Sequence, residues 1–174
     1  LIAEGATALL QSNGMGHHSA GFYNPAMVES FGKSLKAQSN DLPPTVKLVL
    51  LMGSYMGEQY HGRMYAKAQV LRRVIRANYD QALTQYDVLA MPTTPMKAHK
   101  HDPTLGTEGV VSHGWDMLDN AAPFNMTGHP AINIPCAKSN GLPVGLMLVG
   151  KRYDESTIYQ AAHAFEQMAD WKQL

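Results

Sequence analysis

The 174-residue chain carries 14 Lys and Arg residues against 14 Asp and Glu residues, and 45% of its residues are hydrophobic. The balanced charge and the lack of a basic stripe argue against nucleic-acid binding and against attachment to an anionic membrane surface. No apolar run approaches the roughly 20 residues that span a bilayer, and the N-terminus lacks the parts of a signal peptide. Composition therefore predicts a globular chain of ordinary domain length, with the cytoplasm as its default location.

Cys136 is the only cysteine, so the fold cannot depend on an internal disulfide. It follows a predicted strand among small residues, which favours a structural thiol over a nucleophile. The chain begins at Leu1 without an initiator methionine. We therefore expect it to be part of a longer protein.

The first 60 residues or so carry helical patterns. Residues 1–23 predict a short apolar helix and a loop with Gly14 and Gly16. No strand precedes these glycines and no Lys-Ser/Thr follows, which argues against a phosphate-binding loop. Asn24-Pro25 predicts the start of an amphipathic helix over residues 25–37, because it combines a capping side chain with proline at the first helical position.

Two further helices are expected after the break at Pro43-Pro44. Residues 46–53 are apolar nearly all round and fit either a strand or a helix; the proline pair favours a buried helix. Residues 61–84 predict an amphipathic helix, and its basic residues indicate a solvated face rather than a polyanion site. These basic residues are Arg63, Lys67, Arg73 and Arg76.

Beyond them, residues 87–91 predict a short buried strand that Pro92 stops. The connection from Pro92 to His113 shows no periodicity, and connections of this length are usually functional or mobile. A short helix is predicted over residues 115–120. A final helix is predicted to begin at Asp154, with a buried stripe formed by Ile158, Ala162, Phe165 and Met168.

Between residues 120 and 150 the sequence predicts local structure most clearly. Two apolar runs, 131–134 and 144–149, predict strands, and glycines bound the second run as in a strand buried on both faces. Asn140-Gly141 predicts a tight turn with positive φ. The irregular segment 123–130 predicts a shaped binding loop carried by the sheet.

Eight histidines raise the question of a metal or a catalytic base. His99, His101 and Asp102 are close in sequence, but no second cluster shows ligand spacing, and His17-His18 is weaker still. We therefore predict no metal site. For His129 to belong to a Ser-His-Asp triad, a serine on a Gly-x-Ser-x-Gly elbow would be needed, and none occurs, which favours a structural role.

Five motifs follow one another along the chain: Tyr86 to Pro95, Pro123-Phe124-Asn125, Thr127 to Ala131, Gly141 to Gly145, and Gly150. Together they resemble the C-terminal part of the amidase signature family, serine hydrolases that cleave carboxamides. The resemblance implies an α/β fold: these residues would form the C-terminal part of an α/β/α sandwich around a mixed β-sheet. Residues 1–174 would then be the C-terminal segment of a single amidase domain whose N-terminal catalytic portion is absent.

The resemblance also implies where the chemistry lies. Members of the family use a serine nucleophile, a second serine in a cis peptide and a lysine, and all three precede the region matched here. No catalytic residue can therefore be placed on this sequence, and no cofactor or metal is implied. Because an activated nucleophile needs an adjacent base, we expect the chain alone to be inactive.

Relatives that bind charged amino-acid side chains carry an arginine after the lysine matching Lys47, and an aspartate just before the Pro-x-Asn loop. Here the matching places hold Leu48 or Val49, and Leu118, although Asp119 is one residue away from the second place. The exchange implies an apolar pocket for a neutral aliphatic or aromatic amide. The predicted substrate-binding residues are Leu118 as an apolar wall, Asn120 as a polar contact and Phe124 packed at the base of the loop.

The expected function is hydrolysis of neutral carboxamides to carboxylic acid and ammonia. The expected partners are a small-molecule amide, the missing N-terminal portion and a second copy in a homodimer, with neither nucleic acid nor membrane. Two alternatives remain open. One is a non-catalytic scaffold or binding segment with an amidase half-fold; the other is the amidotransferase branch of the family, in which ammonia passes to another active site.

Overall fold

The computed structural model describes residues 1–16, 21–168, 170, 171 and 173. The chain divides into two compact units, Leu1–Val70 and Leu71–Leu174. The histidine pair at positions 17 and 18 lies outside the described residues. Across the described ranges, no helix combines the length and the apolar character that crossing a membrane requires.

Helices make up the first unit: α1 (Ile2–Gln11), α2 (Pro25–Ala37), a 3-10 turn (Ser39–Asp41), α3 (Pro44–Tyr60) and the start of α4 (Arg63–Ala82). Helix α2 begins as predicted, since the Asn24 side chain accepts a hydrogen bond of 3.2 Å from the backbone N–H of Met27. Helices α1 and α3 pack closely at Gly53, where a Cβ would meet the Ala3 backbone and the Thr7 hydroxyl. A glycine is therefore required at this crossing.

The α3 segment is helical, as the proline pair favoured, but the prediction that this helix is buried was wrong. Gly53 is its one buried residue, whereas Leu51 is 71% exposed and Tyr55 is 59% exposed. The apolar face of α2 is open as well, with Met27 65% exposed. The physical reason is that α3 packs mainly on α1, so apolar side chains that point away from α1, such as Leu51, have no surface to pack on.

The second unit contains a three-stranded antiparallel sheet in the order β1-β3-β2. With the helices, this sheet confirms the predicted α/β class. Its elements after α4 are β1 (Val88–Pro92), α5 (Thr107–Asp116), α6 (Ala122–Thr127), β2 (Ala131–Ser139), β3 (Leu142–Gly150) and α7 (Glu155–Met168).

Strands β2 and β3 form the hairpin that Asn140-Gly141 predicts. Both residues have positive φ, 54° and 79°, and Ser139 pairs with Leu142 directly across the turn. Strand β2 runs further than the predicted 131–134, because the residues expected to link the strands continue the ladder after a bulge between Pro135 and Ala137.

The central strand β3 has a hydrophobic cluster on each face, which confirms that it is buried on both sides. One cluster contains Phe124, Met147 and Val149, and the other contains Ile134, Leu148 and Ala162. In α7, Ile158 and Ala162 are buried as predicted. Met168 is 83% exposed, so its place in the buried stripe was wrong; it is the last residue of the helix.

The connection between β1 and the hairpin is more helical than the sequence indicated. Helix α5 occupies Thr107–Asp116, so all but its last three residues lie in the region from Pro92 to His113 that was predicted to be irregular. The predicted helix over residues 115–120 is wrong, because α5 ends at Asp116 and a turn follows it. Gly109 and Gly114 lower the helix propensity of α5 and interrupt its apolar spacing, which explains the error.

Candidate substrate-binding loop

The candidate loop, defined as residues 115–125, joins α5 to α6 and is tied to the end of β1. The Asn120 side-chain amide donates a hydrogen bond of 2.9 Å to the carbonyl oxygen of Pro92. Within the loop, the Leu118 N–H bonds to the Trp115 carbonyl at 3.2 Å, and the Ala122 N–H bonds to the Leu118 carbonyl at 2.8 Å. The turn that carries Leu118 and Asn120 is thus held at the end of β1.

The end of β1 is itself fixed across the sheet. The Thr93 N–H donates to the Gly145 carbonyl at 3.1 Å, and the Thr93 hydroxyl bonds to the Asn133 side-chain oxygen. A Cβ at Gly145 would collide with the Asn133 side chain, so this close approach requires glycine. Residues of all three strands therefore fix the end of β1, to which the candidate loop is hydrogen-bonded.

The three predicted site residues are not equally buried. Leu118 and Asn120 are half-buried and share one turn, in which the Ala121 N–H bonds to the Leu118 carbonyl at 3.1 Å. Phe124 is 5% exposed and meets Tyr79 edge-on, with ring centroids 5.1 Å apart. Its ring belongs to the core beneath the loop rather than to an open surface.

Sequence reasoning missed a buried polar network behind the loop. His129 lies between the Thr127 hydroxyl, 2.8 Å from its Nδ1, and the Asp80 carboxylate, 3.2 Å from its Nε2. An ionised carboxylate only accepts, so Nε2–H donates to Asp80; in the neutral imidazole Nδ1 then accepts from the Thr127 hydroxyl. Thr127 is 0% exposed, so its hydroxyl has no access to a substrate and the network is structural.

Two arginines extend this network. The Arg76 Nε donates a hydrogen bond of 2.8 Å to the Thr127 carbonyl, so the prediction that Arg76 lies on a solvated face was wrong. The Arg152 Nε lies 3.5 Å from the Asp80 carboxylate. Arg76 and Asp80 are four residues apart on α4, which places them on one helix face. This spacing is the signal that could have revealed the site.

The histidines of the β1–α5 connection do not form a metal cluster. His99 stacks on His113 with ring centroids 3.8 Å apart and an interplanar angle of 3°, and its Nε2 lies 3.4 Å from an Asp116 carboxylate oxygen. The Thr104 hydroxyl and N–H bond to Asp102 and lower the pKa of its carboxyl. Over the residues described here, no three His, Cys, Asp or Glu side chains are placed to hold a metal ion.

Cys136 has the position of a structural thiol. It is half-buried on β2, and its Sγ lies 3.5 Å from the Val144 carbonyl oxygen on the neighbouring strand. The contact lies across the bulged part of the hairpin.

A cavity of about 820 Å³ opens beside the candidate loop, between the β1–α5 connection, α5 and the tip of the β2–β3 hairpin. Met117 is the residue of the candidate loop that lines it. Leu118, Asn120 and Phe124 are not among its lining residues, so the predicted site residues and this cavity are adjacent but separate.

The comparisons of this chain with known proteins agree on one family. The family model for Amidase matches residues 1–159. The chain is 37% identical over 167 residues to an uncharacterized protein in the nthA 5′ region of Rhodococcus erythropolis, covering 94% of this chain and 83% of that protein. It is 38% identical over 168 residues to an enantioselective amidase of Rhodococcus rhodochrous, covering 95% of this chain and 32% of the relative.

A third relative is a glutamyl-tRNA(Gln) amidotransferase subunit of Geobacillus sp. (strain WCH70), 36% identical over 155 residues, covering 86% of this chain and 28% of the relative. The chain thus spans about a third of the length of the amidase and of this amidotransferase protein. A crystal structure of an amidase superimposes with a TM-score of 0.63 at 25% identity, covering 97% of this chain and 37% of the other. The chain therefore belongs to the amidase signature family.

Proposed function

We propose that residues 1–174 form the C-terminal segment of a single amidase domain. The complete enzyme would hydrolyse neutral aliphatic or aromatic carboxamides to carboxylic acid and ammonia. In this proposal the Ser-Ser-Lys machinery belongs to the preceding part of the domain, and this chain supplies one wall of the acyl pocket together with its supporting sheet. The short coverage of the longer relatives supports this division of roles.

The observation that carries the substrate class is Leu118. The family resemblance implies an aspartate at this place in relatives that bind charged amino-acid side chains, whereas here a half-buried leucine follows α5 and the carboxylate of Asp119 comes one residue later. An apolar wall favours a ligand through buried area, and a charged group against it would lose hydration without gaining a partner. A neutral acyl group therefore fits this wall better than a glutaminyl group.

The other two predicted residues have supporting roles in the proposal. The Asn120 amide nitrogen is bonded to Pro92, which orients the side chain and leaves its amide oxygen as the acceptor we assign to the substrate. Phe124 packs against Met147 and Val149 in the core and so fixes the height of the loop. We assign it to positioning through packing rather than to direct contact.

The partner that we propose for the first unit is the missing N-terminal portion of the same domain. In α3, Leu51, Met52 and Tyr55 are 71%, 44% and 59% exposed, an apolar surface unusual for a monomer to leave open. Packing of the remainder of the domain on this surface would bury it.

Leu118→Asp in the full-length enzyme tests the pocket directly. We expect binding of benzamide to weaken by about 1–3 kcal/mol, the usual cost of leaving a polar group buried without a partner. The measurement is the Kd of benzamide by calorimetry, with Asp119→Ala, an exposed neighbour, as the control.

Leu118→Ala separates a pocket residue from a core residue. A core leucine would lose about 2–5 kcal/mol of stability on truncation. A pocket leucine should instead alter the ratio of kcat/KM values between propionamide and benzamide while the unfolding midpoint changes little. A collapsed midpoint with an unchanged substrate ratio would refute the assignment of Leu118.

The amidotransferase branch is the second candidate function, and the 36% identity to an amidotransferase protein favours it. Leucine at position 118 argues against a glutamine-binding pocket. Release of ammonia by the full-length enzyme from glutamine, but not from benzamide or propionamide, would support the amidotransferase. Release from neither would support a non-catalytic scaffold.

A further inference from the structure

The cavity beside the candidate loop combines an apolar floor with a positively charged edge. Its volume of about 820 Å³ lies in the range typical of small-molecule sites. Leu105, Val110 and Met117 line it on the α5 side, and Leu142 and Val144 line it on the hairpin side. These side chains can cover an aromatic or aliphatic body.

The charges at the edge of this cavity are mainly positive. Lys97 and Lys100 line it, and over the described part of the chain no ion pair engages either ammonium group. Asp102 is the acidic lining residue, and its carboxylate accepts hydrogen bonds of 2.8 and 2.6 Å from the Thr104 N–H and hydroxyl. The two lysines therefore remain available to an anionic group.

Two histidines at the cavity contact each other. His99 stacks on His113 and points its Nε2 at Asp116, which keeps both rings parallel. Both histidines line the cavity, as does His101. A flat imidazole pair of this kind offers a face on which an aromatic ring can stack.

We propose that this cavity binds an aryl-alkyl carboxylate, with the hydrocarbon body on the apolar floor and the carboxylate at Lys97 and Lys100. A neutral molecule would make the apolar contacts without the charge contact, and a cation would be repelled by the lysines. The site lies outside Leu118, Asn120 and Phe124, and the inference does not depend on the proposed hydrolysis.

The test uses the 174-residue chain and two matched probes, 4-phenylbutyrate and 4-phenylbutyramide, which share a hydrocarbon body and differ in charge. Affinities are measured by calorimetry at low salt, and the site is located by amide chemical shifts in a ¹⁵N-labelled chain. We expect the carboxylate to bind about twofold to fivefold more tightly than the amide, the scale of an exposed ion pair. The largest shifts should fall at Val110, Leu142 and Gly145.

Variants assign the two parts of the site. Lys97→Ala combined with Lys100→Ala should reduce the affinity for phenylbutyrate to that for the amide and leave the amide unaffected. Leu142→Gln, at a residue 51% exposed, should weaken both probes. Lys151→Ala, an exposed lysine that does not line the cavity, is the matched control and should change neither affinity.

Salt provides a measurement on the unaltered chain. Raising the salt concentration should remove most of the advantage of the carboxylate over the amide, because ions screen a partly exposed charge pair. Equal affinities for the two probes at low salt would overturn the proposal, as would shifts confined to residues away from the cavity. Since binding is measured without turnover, absence of amidase activity in the full-length enzyme would leave this result unaffected.

Discussion

The two units of the chain differ in where their apolar side chains lie. In the second unit, Val149 is 0% exposed and Leu83 is 1% exposed, and the sheet has a hydrophobic cluster on each face. In the first unit none of the large apolar side chains of α2 and α3 is fully buried, and several are exposed, as with Leu51 at 71% and Met27 at 65%. The second unit therefore has a buried hydrophobic core, whereas α2 and α3 of the first unit have none.

This difference follows from the elements available to each unit. A strand with pairs on both sides, such as β3, presents two faces that α6 and α7 can cover within the same unit. A helix that packs mainly on one neighbour, as α3 does on α1, has no second surface to bury its remaining apolar side chains, such as Leu51. Apolar content alone therefore does not indicate burial, because burial requires an available partner surface.

The largest expected effect compares one phenylalanine from each unit. Phe124→Ala should lower the free energy of unfolding by about 3–5 kcal/mol, because the ring packs against Tyr79 and Met147 and its loss leaves a cavity. Phe22→Ala, at a residue 89% exposed, should change it by less than about 0.5 kcal/mol. Urea unfolding of both variants measures the contrast, and similar losses would contradict the distinction between the units.

A smaller effect is expected in the polar network of the second unit. His129→Asn should cost about 1–3 kcal/mol of unfolding free energy, because the shorter side chain cannot bond to both Thr127 and Asp80. The exposed His101 supplies the control, since His101→Asn should have almost no effect. Urea unfolding reports both, and a neutral His129 variant would show that the buried network contributes little.

The smallest effect concerns the first turn of α7. The Thr157 and Ser156 hydroxyls donate hydrogen bonds to the Asp154 carboxylate and lower its pKa below the ordinary value of 3.8. A carboxyl group whose pKa is lower in the folded chain than in the unfolded chain stabilises the fold at pH values above its unfolded-state pKa. This stabilisation is lost as the pH falls through the folded-state pKa. Asp154→Ala should therefore lower the unfolding midpoint slightly at about pH 6, with a difference that narrows below about pH 4.

The exposed Asp87 provides the comparison for that variant. Asp87→Ala should leave the midpoint unchanged across the same pH range. A midpoint difference for Asp154→Ala that grew on acidification would have the wrong sign and would refute the role given to its carboxylate.

The features that the sequence predicted correctly are those set by neighbouring residues. The Asn24 cap, the Asn140-Gly141 turn and the glycine-bounded β3 each depend on a short segment. The exposure of α3 and the partners of His129 depend on residues far apart along the chain. For example, Asp80 is 49 residues from His129, a separation that no local pattern records.

The candidate site could be only partly predicted from the sequence, for the same reason. The family resemblance indicated Leu118, Asn120 and Phe124. The hydrogen bond from Asn120 to Pro92 joins residues 28 apart, so only the folded structure reveals it. Helix α5, whose glycines obscured its helical pattern, includes the first two residues of the candidate loop and forms one side of the cavity. The paired histidines of that cavity are brought together by this helix.

The most direct test of the central claim is the activity of the 174-residue chain alone. The claim is that this segment supplies a pocket wall and a sheet, while the nucleophile and its base lie in the preceding part of the domain. Incubation of the purified chain with benzamide or propionamide should release no ammonia above the uncatalysed rate. Turnover that persisted through repurification of the chain would contradict the claim.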